Sequence, residues 1–150
     1  MRPSRRGLLK YGTALATLLA LPRAILAAAR PVEAFAESDE AAAIADLFGD
    51  APITPSDAIT LGAPEIAENG AVVPISVETT LQNVKSISIV VRKNPRPLAI
   101  TFDIPAGTLP NVDCRIKMGQ TSPVTAIIET DGGLFSTSKE VKVTIGGCGG

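Results

Sequence analysis

Histidine and tryptophan are absent from the 150-residue sequence, and only two cysteines occur. Without histidine, the chain cannot form the Cys-His or Ser-His pairs that activate a nucleophile in many enzymes. Two cysteines without histidine also make a poor zinc or copper site, so we expect neither a metal nor another cofactor. Aromatic residues are few, whereas Val, Ile and Thr are abundant beyond residue 53. That composition suits β-strands better than helices.

The first 29 residues have the layout of an export signal. Residues 1–10 are basic, residues 11–21 form an apolar run too short to span a bilayer comfortably, and small residues follow. The stretch SRRGLLK at residues 4–10 fits the twin-arginine export consensus. We therefore expect a twin-arginine signal peptide in residues 1–29, with cleavage as late as residue 36. The alternative is a soluble basic arm or an uncleaved anchor.

Export would make the protein acidic. Residues 1–29 contain five of the 14 basic residues and none of the 15 acidic ones, which leaves nine bases against 15 acids and a net charge of −6. Such a charge argues against nucleic acid and against an anionic membrane surface as partners. Export would also place both cysteines in the periplasm, which is an oxidising compartment.

The hydrophobic pattern predicts one domain over residues 38–145. Residues 38–50 predict a short helix with Ser38 as N-cap, Gly49 as the stop, and an apolar face formed by Ala41, Ile44, Ala45 and Phe48. Beyond Pro55 the period changes to two, with turn residues between short runs, which is typical of an antiparallel, immunoglobulin-like β-sandwich in an all-β fold. The predicted strands are Ile59–Ala67, Ala71–Thr80, Ser86–Arg92, Leu98–Ile104, Val112–Met118, Val124–Thr130, Leu134–Thr137 and Lys139–Ile145. Pro74 within the second predicted strand indicates an edge position or a bulge.

The two cysteines occur in opposite settings. Cys114 shares one face of a predicted strand with Val112, Ile116 and Met118, which predicts a small core side chain. Cys148 lies in the sequence GGCGG at residues 146–150, where the strand pattern has ended. A glycine-rich segment behaves as a flexible coil, so we expect Cys148 to be exposed on a mobile arm.

The arm suits a carrier better than a catalyst. Gly146, Gly147, Gly149 and Gly150 add no bulk around Cys148, so the arm can enter a narrow channel in another protein. No neighbouring His, Lys or helix N-terminus lowers the pKa of the Cys148 thiol, so a partner must activate it or supply an oxidant. A disulfide between Cys114 and Cys148 is the alternative, and it requires Cα atoms within about 7 Å.

The segments RIKMGQTSPV at residues 115–124 and KEVKVTIGGCGG at residues 139–150 resemble the SoxY family of bacterial thiosulfate oxidation. The similarity extends from the helix near Ala41 to the end of the chain, and the GGCGG ending is its most specific part. The resemblance implies a sulfur carrier, not an enzyme, in which Cys148 holds the substrate covalently. Cys114 is not part of the family's carrier motif.

The resemblance also implies partners. SoxZ would form a heterodimer with this chain. The cytochrome SoxAX would join thiosulfate to Cys148, the hydrolase SoxB would release sulfate, and SoxCD would oxidise the remaining sulfane sulfur.

Two other functions stay open on the residues alone. The first is a periplasmic thiol-disulfide exchange protein that uses Cys114 and Cys148 as its redox pair. The second is a structural or adhesive sandwich that uses its terminal cysteine as a tether.

Overall fold

A computed structural model describes residues 31–144. The described part contains two helices, α1 (Val32–Ala36) and α2 (Glu40–Phe48), followed by nine strands. The strands are β1 (Ile53–Pro55), β2 (Ile59–Gly62), β3 (Ile66–Ala67), β4 (Val73–Thr79), β5 (Val84–Val91), β6 (Leu98–Asp103), β7 (Val112–Ile116), β8 (Ser122–Thr130) and β9 (Gly133–Val143).

The strands form two sheets that pack face to face. The larger sheet has the order β1-β9-β8-β5-β6, with β3 paired to the far end of β9, and the smaller sheet has the order β2-β4-β7. Most pairs are antiparallel, and the predicted β-sandwich with a short N-terminal helix is confirmed. Two short parallel pairs, β1 with β9 and β3 with β9, were not predicted.

The main core lies between the sheets. Alternate side chains of β5 and β8 point into it and meet the inward face of β4, as period-two patterning requires. Each fully buried Ile or Val there contributes roughly 1.5–3 kcal/mol to the free energy of unfolding. Its fully buried members are Val73, Val77, Ile87, Ile89, Val91, Val124, Ala126, Ile128 and Val141.

A second, smaller core lies on the outer face of the larger sheet, where the helices pack. Ala34 of α1 and Ala43 of α2 are fully buried there, against Val90, Leu98 and Ile127. Both faces of β5 are therefore covered, which explains why Ser88 on this outer face is buried and bonded to Thr101 Oγ1 at 2.8 Å.

Helix α2 differs in detail from the prediction. Its N-cap is Asp39, not Ser38, since Asp39 Oδ1 accepts the Ala42 N–H at 3.0 Å. Gly49 ends the helix as predicted, with a φ of 65° that favours glycine. The contacting face includes Ile44 and Phe48 as predicted, but Ala43 and Leu47 replace the exposed Ala41 and Ala45. The bulky Leu47 contributes more apolar area to this contact than Ala45 would.

Three strand predictions also need correction. The single strand predicted over residues 59–67 is two strands, β2 and β3, which belong to different sheets. The two strands predicted over residues 134–145 form one continuous strand, because β8 pairs with β9 without interruption from Thr130–Gly133 to Ser122–Val141. Pro74 lies in the middle strand of the smaller sheet, not at its edge. It is tolerated because pairing with β2 ends at Gly62–Ser76, so one side of β4 is unpaired at Pro74.

Candidate functional site

The predicted attachment residue Cys148 and the arm glycines Gly146, Gly147, Gly149 and Gly150 lie outside the described residues. The structure therefore describes the site through the residues that precede the arm and hold the chain where the arm begins. We call Val143, Thr144 and their direct contacts the arm base.

The arm base is held by hydrogen bonds on both sides of β9. On one side, β3 pairs in parallel with β9, and the Thr144 N–H donates to the Ala67 carbonyl at 3.1 Å. On the other side, the Val143 N–H donates to Thr121 Oγ1 at 3.0 Å. The backbone is thus fixed as far as Thr144, four residues before Cys148. Four residues can span at most about 13–14 Å, which sets the reach of Cys148 from its anchor.

The turn that contains Gly70 packs closely against the arm base. The Met118 N–H donates to the Gly70 carbonyl at 2.7 Å. A Cβ atom at Gly70 would collide with the Met118 carbonyl oxygen and lie 2.8 Å from Val143 Cγ1. Only glycine therefore allows this turn to approach β9 so closely.

Loops from three strand connections surround the arm base at this end of the sandwich. They are the β3–β4 turn with Glu68 and Gly70, the β5–β6 loop at residues 92–97, and the β7–β8 loop at residues 117–121. The strand registers place them together, because Val91 is paired with Val124 and Ser122 with Val141.

Cys114 lies in the middle of β7, an edge strand of the smaller sheet, opposite Ile75. Its side chain is half-buried and packs against the main core, so the predicted inward orientation is confirmed. It also lines an open depression of about 590 Å³ beside Pro74, Asp113 and Arg115. Burial, and then the neighbouring Asp113 carboxylate, raise the pKa of the Cys114 thiol. A raised pKa lowers the thiolate fraction, which disfavours Cys114 as an attacking thiol in disulfide exchange.

We predict that Cys114 reacts slowly with neutral alkylating reagents. Because its pKa is raised, the rate should keep increasing with pH after the rate of a short unstructured cysteine peptide with blocked termini has levelled off. Iodoacetamide labelling between pH 7 and pH 10, followed by peptide mass spectrometry, measures both rates. The prediction would be contradicted if the Cys114 rate levels off at or below the pH at which the rate of the unstructured peptide levels off.

Within residues 31–144, no group of three or more His, Cys, Asp or Glu side chains is arranged to hold a metal ion. In the same part of the chain, no helix has the length and apolarity needed to cross a bilayer.

Comparison with solved structures identifies the class of fold. The chain is similar to the sulfur carrier protein SoxY from Chlorobium limicola f thiosulfatophilum, with 42% identity, a TM-score of 0.63, and coverage of 69% of this chain and 94% of that chain. It is also similar to a superoxide reductase (neelaredoxin) from Ignicoccus hospitalis, with 18% identity, a TM-score of 0.55, and coverage of 61% and 95% of the two chains. At that identity the second likeness concerns the fold alone.

Sequence comparison gives the particular family. The family profile described as "Sulfur oxidation protein SoxY" matches residues 44–148, which include β9, the arm base and Cys148. The chain therefore belongs to the SoxY family, and the predicted resemblance is confirmed. A search of curated proteins finds no match.

Proposed function

We propose that this protein is a covalent carrier of sulfur intermediates in periplasmic thiosulfate oxidation, with Cys148 as the attachment point. The family and the fold support a sulfur-carrier role in sulfur oxidation. The observation that carries the finer proposal is the arm base, where β9 is hydrogen-bonded on both sides until four residues before Cys148. A firm anchor followed by GGCGG suits a thiol that is presented to other proteins.

Loading of Cys148 needs an electron acceptor. When the Cys148 thiolate bonds to the terminal sulfur of thiosulfate, a cysteine S-thiosulfonate forms and two electrons leave. In the proposed scheme the cytochrome SoxAX takes these electrons. Among residues 31–144, the only thiol is Cys114, whose raised pKa makes it a poor redox partner for this step. The chain therefore acts as a carrier and leaves the chemistry to partner enzymes.

Release of sulfate is a hydrolysis. Water breaks the S–S bond to the sulfonate group, so that sulfate and two protons leave and Cys148 keeps one sulfane sulfur as a persulfide. In the proposed scheme SoxB performs this step and SoxCD can oxidise the sulfur that remains. SoxZ is the proposed heterodimer partner.

Export by the twin-arginine route is part of the proposal. Residues 1–29 lie outside the described part, but α1 begins at Val32 and buries Ala34 completely in the second core. Cleavage after residue 36 would remove this helix with its contacts to α2 and β6, and so uncover part of the second core. This packing favours cleavage after Ala29.

Intact-mass spectrometry tests the function directly. The mature protein is incubated with thiosulfate and its oxidising cytochrome, and the adduct is then assigned by peptide mapping. We expect one thiosulfonate adduct, on Cys148. An unmodified protein, or an adduct on Cys114, would overturn the proposal.

We also predict that Gly147→Val uncouples the arm from its partners. The branched side chain adds bulk and stiffens the backbone next to Cys148, so enzymatic loading should fall by about tenfold or more, whereas folding stays normal. The loading rate of Gly147→Ala should lie between those of Gly147→Val and the parent protein. Thermal melting checks the fold, and iodoacetamide labelling of Cys148 checks that the thiol itself reacts normally. Normal loading of Gly147→Val would show that small residues are not needed there.

A further inference from the structure

Two of the loops around the arm base are basic. The β5–β6 loop at residues 92–97 has the sequence RKNPRP, and the β7–β8 loop at residues 117–121 has the sequence KMGQT. Together they contain Arg92, Lys93, Arg96 and Lys117 and no acidic residue. We call them the basic loops. They stand out because the chain beyond residue 29 is acidic, with 15 acids.

Side-chain hydrogen bonds fix the basic loops to each other. Asn94 bridges them, since its Nδ2 donates to the Lys117 carbonyl at 2.7 Å and its Oδ1 accepts the Gly119 N–H at 3.1 Å. Gln120 Nε2 donates to the Lys93 carbonyl at 3.1 Å. Because three hydrogen bonds join these two short loops, the loops form one continuous surface.

The same surface is fixed to the arm base. Thr121 Oγ1 accepts the Val143 N–H, and the adjacent Gln120 binds the Lys93 carbonyl. One of the basic loops therefore itself supplies a contact that holds the arm base. A group on Cys148, about 13–14 Å from Thr144 at full extension, can fold back over them.

Three of the four cations are available for a ligand. Arg92 pairs with Glu40, with 2.6 Å between Nε and Oε2. Lys93, Arg96 and Lys117 are exposed and form no ion pair with any residue in the range 31–144. On the opposite side of β9, Glu65 just before β3 and Glu68 just after it are exposed, so that side of the arm base carries acidic residues. Lys142 of β9 is a further exposed cation, two residues before Thr144.

We propose that the basic loops are a binding surface for sulfur oxyanions, which attracts the incoming dianion to Cys148 and holds the sulfonate group of the loaded arm. This inference rests on the proposed carrier function, and it names the class of ligand that the basic loops bind. An acidic protein repels thiosulfate and related dianions, and a local cluster of free cations reverses that effect where the thiol is attached. Neutral reagents gain nothing from it.

Tetrathionate tests the proposal without a partner enzyme. The Cys148 thiolate attacks a central sulfur of this dianion, the central S–S bond breaks, and thiosulfate leaves with the electron pair. The product is the same cysteine S-thiosulfonate. The readout is the rate at which tetrathionate modifies Cys148, divided by the rate at which neutral iodoacetamide alkylates it. Both rates are measured in the mature Cys114→Ser protein, so that only Cys148 reacts.

The test variant is Lys93→Gln with Lys117→Gln, each single variant is measured beside it, and the control for one lost charge is Lys85→Gln. Lys85 is a surface lysine six residues before Val91 on β5, about 20 Å from the basic loops, where it pairs with Asp131 at 3.1 Å. Near 0.01 M salt we expect the rate ratio to fall about three- to tenfold in the double variant and to stay unchanged in the control. The difference should shrink at 1 M salt, where the screening length is about 3 Å.

The outcomes separate this inference from the function on which it rests. An unchanged ratio in the double variant, or an equal fall in Lys85→Gln, would refute the oxyanion surface even if the cytochrome still loads Cys148. A ratio that falls as expected in a protein that no partner enzyme loads would keep the surface and refute the carrier function. Thermal melting of all variants confirms that the comparison is made on folded protein.

Discussion

Replacement of Cys148 by serine is expected to abolish loading completely, whereas replacement of Cys114 by serine is expected to leave it intact. Serine has the shape of cysteine but cannot form the S–S bond that holds the sulfur intermediate. Cys114 packs against the core with a raised pKa, so its loss should lower the free energy of unfolding by only about 1 kcal/mol. Thiosulfate-dependent cytochrome reduction and intact-mass spectrometry of both variants measure the two effects.

The same pair of variants separates the carrier from a thiol-disulfide exchange protein. An exchange protein that uses both cysteines loses activity when either is replaced, because the resolving thiol is missing. Equal loss in Cys114→Ser and Cys148→Ser would therefore count against the carrier. Urea unfolding of both variants distinguishes loss of chemistry from loss of fold.

The sequence predicted the β-sandwich because the strands of its inner faces follow a period of two with turn residues between them. It missed α1 and β1 because each is too short for a periodic signal, with five and three residues. Both elements depend on tertiary contacts. Helix α1 buries Ala34 under α2, and β1 pairs with the start of β9.

The site was predictable only in part. The position of Cys148 in GGCGG and the strand before it are visible in the sequence, and the assignment of Cys148 as the attachment point stays a prediction. The way the chain is held before the arm is not visible, because β3 and β9 are about 75 residues apart and Ile66 pairs with Lys142. The basic loops were also missed. They are separated by about 20 residues, and only the bonds of Asn94 and Gln120 reveal that they form one surface.

Replacement of Gly70 by alanine is expected to have the second largest effect, through the fold. The added Cβ would collide with the Met118 carbonyl oxygen, which is backbone, and would lie 2.8 Å from Val143 Cγ1. Since a backbone atom cannot move aside cheaply, the turn must shift away from the β7–β8 loop and from the Val143 side chain. The overpacking should lower the free energy of unfolding by about 1–3 kcal/mol, which urea denaturation measures.

Gly119→Ala is the matched control, because it adds the same methyl group to a facing loop where the nearest atom beyond the chain neighbours, Asn94 Oδ1, is 4.0 Å away. Its free energy of unfolding should change by less than about 0.5 kcal/mol. Hydrogen exchange gives the more specific readout. In Gly70→Ala, the Val143 and Thr144 amides should exchange faster, because the shifted turn loosens their bonds to Thr121 and Ala67. If Gly70→Ala unfolds like Gly119→Ala and protects both amides normally, the turn does not brace the arm base, and the β3–β9 pairing and the Thr121 bond are sufficient to anchor it.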